Sequence, residues 1–411
     1  MGSPAVELSA RPARVTTVPD RPLASTAALT GASVAISGVA LYLLTHVSWR
    51  QSILLLIGAA AGIVLYHAAF GFTSSWRALL VQRRGAGFRA QLVMLAVTCA
   101  VFFPVLGIGH AFGQPVRGAV SPVGVSVLVG AFLFGVGMQL GGGCASGTLY
   151  TVGGGSTRML VTLAAFVAGS VLGTMHAPWW SATPALKPTS LVSVLGPAGG
   201  LLVTLTVLGT LAALSRVLER RRHGDVAGSI GPPAGGRTVL RGPWPLVAGA
   251  VGLAAVNIAT LIVSGRPWGV TAAFALWGAK LLAAAGVDVA SWPYWTSPAA
   301  STALGRSVVY DVTSVMDMGI VFGALAAAGL AGRFAPRWHV PVGPLAAAIM
   351  GGLLLGYGAR IAYGCNIGAY FSGIASGSLH GWVWLVAALA GNAAGSTLRP
   401  FFRLDARRQD G

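Results

Sequence analysis

The stretch that decides the fold is GYGARIAYGCNIGAYFSG, residues 356–373. It sets Cys365 among glycines and small residues, late in a very apolar chain. Glycine weakens helices, so eighteen such residues read as a helix that breaks rather than one that runs on. The pattern occurs twice. GVGMQLGGGCASGTLY, residues 135–150, carries it 221 residues earlier. With that shift Gly135, Gly137, Gly143, Cys144 and Gly147 match Gly356, Gly358, Gly364, Cys365 and Gly368. With one further residue inserted, Gly169 and Gly173 match Gly391 and Gly395. Both of those pairs have the small-xxx-small spacing that lets membrane helices approach closely. A run this long points to duplication.

The composition sets the medium. Of 411 residues, 55% are hydrophobic and 9% charged, with mean hydropathy +0.75. Soluble domains carry roughly a quarter charged residues. The apolar runs approach the ~20 residues a helix needs to cross a bilayer. They do not alternate as strands of a membrane barrel would. The chain therefore reads as an all-α polytopic membrane protein. Helices are expected near 27–48, 52–71, 90–109, 123–140, 157–177, 191–214, 244–264, 311–331, 341–360 and 380–400. TSSWRALLVQRRGAGFR (73–89) is amphipathic and basic, and PWGVTAAFALWGAKLLAAAG (267–286) is apolar but expected to dip in and return.

Charge gives an orientation. Lys and Arg collect in cytoplasmic loops. Putting the N-terminus inside places most of the 27 basic residues there, and both termini become cytoplasmic. This accounts for the net charge of +18 without an anionic macromolecule; no basic helix face or motif suggests nucleic acid. The organisation that follows is a tail over 1–26, an extra helix over 27–48, and a first repeat over 52–177. A connecting helix over 191–214, a basic linker over 215–242, a second repeat over 244–402 and a tail over 403–411 complete it. The repeats enter from opposite sides, an inverted pseudo-two-fold plan found in transporters with broken helices. The N-terminus does not read as a cleaved signal peptide.

The two breaks carry the chemistry. Non-helical backbone at membrane depth is tolerated where protein buries it or a cavity adjoins it. Freed N–H groups there can receive an anion. A thiol is a weak donor and a soft group, poorly suited to sulfate or phosphate but suited to a soft anionic sulfur. A thiolate would repel the anion, so the apolar surroundings are expected to keep both thiols neutral. Cys144, Cys365, Gly143, Gly364, Gly147, Gly368 and Asn366 form the candidate site. Arg360 joins it as a charged residue at membrane depth, five residues before Cys365, where the first repeat has Gln139. Asp317 and Lys280 lie at similar depth. Cys99, in LAVTCAVFF, reads as a buried packing residue. His67, His110 and His380 read as residues of helix ends or interfaces. No Cys/His spacing suggests a metal, and no cofactor is expected. Other readings of the same residues are a membrane thiol sulfurtransferase that forms a persulfide, and a carrier of another solute in which the cysteines only pack. Neither GVGMQLGGGCASGTLY nor GYGARIAYGCNIGAYFSG holds a His base next to its cysteine to serve the enzyme.

The paired motifs GVGMQLGGGCASGTLY and GYGARIAYGCNIGAYFSGIASGSLHGW resemble those of the YeeE/YedE family of bacterial membrane proteins. The resemblance runs from about residue 52 to 402 and includes GRPWGVTAAFALWGAK (265–280) and DVTSVMDMGIVFGAL (311–325). It implies an inner-membrane transporter that takes up thiosulfate or a related sulfur compound along central thiols, here Cys144 and Cys365. It also implies a cytosolic sulfurtransferase partner. Some members have a further cysteine near the entrance. The corresponding stretch here, GFTSSWRALL, has Ser74 and Ser75 instead.

Overall fold

A computed structural model describes residues 23–228, 236–336 and 338–405. Most of the N-terminal tail, the middle of the basic linker and residues 406–411 lie outside that set. The chain opens with α1 (Leu23–His46), α2 (Trp49–His67), α3 (Phe72–Val81), α4 (Ala86–Ile108), α5 (Val125–Gly141), α6 (Ala145–Gly153), α7 (Thr157–Met175) and the one-turn α8 (Ala177–Ser181). Then follow α9 (Leu191–His223), α10 (Gly236–Arg241), α11 (Leu246–Ser264), α12 (Thr271–Ala284), α13 (Pro298–Gly305), α14 (Val312–Ala331) and α15 (Val342–Ile361). A π-helical turn over Asn366–Phe371, the short α16 (Ser372–Ala375) and α17 (Leu379–Leu398) close it. Strand is confined, among the described residues, to two-residue pairs in the loops.

Nine stretches of the described residues are long and apolar enough to cross a membrane. The chain is an all-α, multi-pass membrane protein. The expected span over 380–400 forms α17, but His380, Asn392 and its glycines make it less apolar than those nine. The element expected over 267–286 is the 14-residue α12, short of the ~20 residues a crossing needs.

One boundary differs from expectation. The helix expected to end at 214 continues to His223, taking in the start of the basic linker. SRVLERRRH is made largely of good helix formers and has no breaker. The helix stops where Gly224 adopts the left-handed conformation, at φ 76°. The extension is anchored. Glu219 is buried and accepts from Arg89 Nη1 at 2.6 Å, from the Gly85 N–H at 3.1 Å and from the Ala227 N–H at 3.0 Å. It thereby ties the turn between α3 and α4 to the end of α9.

Matched glycines make matched contacts at the centre. A Cβ on Gly135 would strike the Ala388 carbonyl, and one on Gly356 the Phe166 carbonyl. A Cβ on Gly169 would strike Leu353, and one on Gly391 would strike Phe132. Gly173 abuts Arg360, and Gly395 abuts Gln139. Each of these partners also corresponds to the other under the shift of 221 or 222 residues. These contacts bring α7 onto α15 and α17 onto α5, and α5 in turn packs on α15. Both breaks follow directly from that central pair.

Candidate functional site

The first break begins where α5 ends. Gly142 turns the chain at φ 89°. Arg158 Nη2 donates to the Leu140 carbonyl at 2.7 Å and Arg399 Nη1 to the Gln139 carbonyl at 3.0 Å. Two guanidiniums thus satisfy carbonyls at the negative end of α5. Cys144 then caps α6 with extended backbone. Its Sγ accepts from the Gly147 N–H at 3.4 Å and lies 3.5 Å from Ser146 Oγ. Thr148 Oγ1 donates back to the Cys144 carbonyl at 2.9 Å. Beside the thiol is a cavity of about 150 Å³. Gly71, Phe72, Thr73 and Ser74 form one wall, and Gly142–Cys144, Gly147, Tyr150 and Thr151 the other. The buried Thr73 Oγ1 has no partner among the described residues.

The second break is built differently. Tyr363 has φ 59° and Gly364 φ 148°. A Cβ on Gly364 would lie 2.8 Å from the Ala369 nitrogen, so position and backbone both call for glycine. Cys365 begins the π-helical turn, and its carbonyl accepts from the N–H of Ala369 at 2.8 Å and of Tyr370 at 3.4 Å. Its side chain makes no cap hydrogen bond. Trp384 Nε1 donates to the Gly364 carbonyl at 3.2 Å and so pins the turn from α17. The Trp384 ring stacks on Tyr370 at 6.4 Å, and Trp76 and Phe72 meet Tyr370 edge-on. Both polar atoms of the Asn366 side chain and the Tyr370 hydroxyl are buried without partners among the described residues. Such orphans are uncommon, and each costs about 1–3 kcal/mol. π-turns inside helices recur at functional sites.

The two breaks adjoin. The π-turn packs on α6, and both thiols belong to one buried cluster. Cys144 and Cys365 are nearly inaccessible, at 3% and 1% exposure. Gly143 and Gly147 share the cavity with Cys144. Gly364, Asn366 and Gly368 surround Cys365, and a Cβ at Gly368 would meet only open space. The soft groups and the unpartnered polar groups thus lie in one neighbourhood.

Arg360 lies elsewhere. Gly173 presses against its Cβ and Cγ. Its guanidinium lies over the Tyr294 ring at 5.0 Å. There it borders a separate pocket of about 350 Å³ with Trp180 and Tyr363. Lys280 is also occupied, donating to the Leu304 and Arg306 carbonyls at 2.6 Å each. His380 pairs with Ser378 Oγ at 2.6 Å. Cys99 is fully buried, with its Sγ 3.9 Å from the Ile374 carbonyl. Among the described residues no cluster of His, Cys, Asp or Glu could hold a metal.

Sequence reading did not find Thr73, Tyr150 and Trp384 as walls of these breaks. Thr73 and Trp384 come from α3 and α17, far along the chain from Cys144 and Cys365 respectively, and no periodic pattern flags them. The signal that could have found Trp384 is a tryptophan within an expected membrane helix, whose N–H needs a buried acceptor.

Two glycine-broken, thiol-bearing turns thus lie buried beside each other. A model of the sulphur transport family matches residues 67–394. The chain belongs to this family. The family and its named relatives are transporters, and the family match covers most of the chain. The thiosulfate transporter TsuA of Spirochaeta thermophila is 28% identical over 348 residues, which are 82% of this chain and 96% of the relative. TsuA of Escherichia coli is 26% identical over 351 residues, covering 82% and 91%. The probable transporter YedE of Escherichia coli is 35% identical over 149 residues. That match spans about a third (36%) of the relative's length.

Proposed function

We propose that this family member takes up thiosulfate, or a closely related sulfur-containing anion, through the inner membrane by way of the Cys144 and Cys365 thiols. The observation that carries the reading is the adjacency of the two breaks, with a Cys365 side chain that makes no cap hydrogen bond and unpartnered Asn366 and Tyr370 groups at one, and a cavity at the other. A neutral thiol donates S–H to the outer sulfur of the anion. Asn366 supplies a stronger donor beside it. The Gly147 N–H, now bonded to the Cys144 sulfur, is positioned to meet the same guest. Glycines at 143, 147, 364 and 368 leave room for it. The two TsuA relatives are named for thiosulfate and align over most of this chain.

The equivalent contacts that Gly135 and Gly356 make with Ala388 and Phe166, and that Gly169 and Gly391 make with Leu353 and Phe132, support an inverted repeat as the frame, with units over 52–177 and 244–402. In this frame the termini are cytoplasmic and the basic surface of α3, α9 and the C-terminal end faces inward. A cytosolic sulfurtransferase that consumes the arriving sulfur would dock on that side. Arg360 would serve at a mouth of the path, not at its centre.

The test is uptake of sulfur-labelled thiosulfate by proteoliposomes holding the wild type, Cys144→Ala or Cys365→Ala, with excess sulfate as competitor. The reading expects uptake that sulfate barely inhibits and that both variants largely lose. Full uptake by both folded variants would refute the thiol path.

A further inference from the structure

One buried charged group has no part in that site. Asp317, on α14, is wholly inaccessible, and neither carboxyl oxygen has a hydrogen-bond partner among the described residues. Among the described residues no ion pair reaches it either. An isolated carboxylate at membrane depth is costly, and a residue of this kind is rare unless it has work to do.

Its surroundings give it a route to protons. Asp311 caps α14, with Oδ2 accepting from the Ser314 N–H at 2.7 Å and from Ser314 Oγ at 2.8 Å. Asp311 is partly exposed and lies 3.7 Å from Arg266 Nη2. Asp311, Ser314 and Asp317 recur every three residues, so they climb one face of the helix. Ser314 Oγ also accepts from Trp277 Nε1 of α12 at 2.9 Å. One turn beyond Asp317, Val321 packs against Gly153 at the end of α6. α14 itself packs on α6, the helix that Cys144 caps. The face therefore leads from a solvent-reaching acid, past a hydroxyl, to a carboxyl beside the thiol path.

Among the described side chains, the elements packed on α14 bring Tyr42, His46, Arg50, Tyr66, His67, Tyr150, Arg241, Lys280 and Tyr310. None of them bonds to Asp317. A fixed cation would have made a structural ion pair. Its absence among these groups leaves a mobile proton as the natural partner.

We infer that Asp317 carries a proton through each transport cycle, so that the anion enters together with H⁺. The inference rests on the anion-uptake reading above. Asp317 binds one proton as a carboxylic acid when the site faces the Asp311 end. It releases that proton when the site faces the other side, and no other bond changes. An entering anion works against an inside-negative potential. Each proton that accompanies it cancels one charge.

The experiment uses the full chain in proteoliposomes and reads three quantities. These are thiosulfate exchange at equal pH, thiosulfate accumulation under an outside-acid gradient, and proton movement reported by an enclosed pH dye. Asp317→Asn keeps the shape and removes the titration. It is expected to retain exchange within about twofold, while gradient-driven accumulation and the proton signal fall at least about tenfold. Asp317→Glu is expected to restore part of both. Gradient-driven accumulation by Asp317→Asn equal to wild type would overturn the inference, as would wild-type uptake with no proton signal. Loss of exchange as well, in a folded Asp317→Asn protein, would assign Asp317 to the path or the frame and also overturn it. Absence of exchange in the wild type would instead remove the thiosulfate reading, and this inference with it.

Discussion

The two Gly-Cys breaks begin from nearly the same sequence and arrive at different chemistry. At the first, the Cys144 sulfur is already engaged by the Gly147 N–H, an ordinary α-helix follows, and a cavity adjoins. At the second, the Cys365 side chain caps nothing, a π-turn follows, and Asn366 and Tyr370 hold unpartnered polar atoms under a lid of aromatic rings. One break has an engaged thiol and a cavity beside it. The other is sealed and unsatisfied. Interior polar groups without partners destabilise a fold, and on the proposed uptake reading a guest would supply the bonds that Asn366 and Tyr370 lack. On the uptake reading proposed above, the first break would act as an antechamber and the second as the point of selection.

The largest effect expected from this asymmetry is on transport. Loss of a hydrogen bond to a charged guest is worth about 1.5–3 kcal/mol, or roughly 10- to 100-fold. Cys365→Ala is expected to show that full loss in initial uptake rate. Cys144→Ala should lose less, because its thiol already has a protein partner. A Cys144 variant that is more damaged would reverse the assignment of roles.

The next effect is on stability. Gly364→Ala forces a side chain into a positive-φ position against the Ala369 nitrogen. It should lower thermal stability in detergent by about 1–3 kcal/mol. Gly143→Ala meets its nearest atoms at 3.3 Å, and is expected to stay within about 1 kcal/mol of wild type. Equal losses would mean that the two turns carry equal strain.

Smaller again is Trp384→Phe. It removes the donor to the Gly364 carbonyl while keeping most of the ring. A cost of about 1 kcal/mol is expected, with uptake changed more than exposure of Cys144 to thiol reagents. The smallest is Thr73→Val. The Thr73 hydroxyl is unpartnered in the protein, so stability should change by no more than about 0.5 kcal/mol. Uptake should fall modestly if the hydroxyl meets the anion in the cavity wall.

Much of this was legible in the sequence, because its signals are local. Apolar length marked the helices, and glycine runs marked both breaks. The distance between the repeats marked Gly135 and Gly356 as equivalents before their matched contacts were seen. What depends on tertiary approach was not legible. The overrun of α9 depends on Glu219 finding Arg89 and Gly85 across more than a hundred residues. The π-turn after Cys365 has no composition that separates it from the α-turn after Cys144. Arg360 shares its place in the repeat with the fully buried Gln139, yet Gly173 beneath it and Tyr294 beside it hold it away from the thiols. Position within a motif therefore predicted backbone better than it predicted where a long side chain ends.

The most direct measurement is protection of the thiols by the substrate itself. In a Cys99→Ala background, the purified protein in proteoliposomes is treated with a small thiol-alkylating reagent. Modification of Cys144 and Cys365 is then followed by mass spectrometry, with and without thiosulfate. The account predicts that thiosulfate slows modification at both residues, that equal sulfate does not, and that unprotected Cys144 reacts faster than Cys365. Modification that thiosulfate leaves unchanged at both residues, in protein that transports it, would contradict passage along the two thiols.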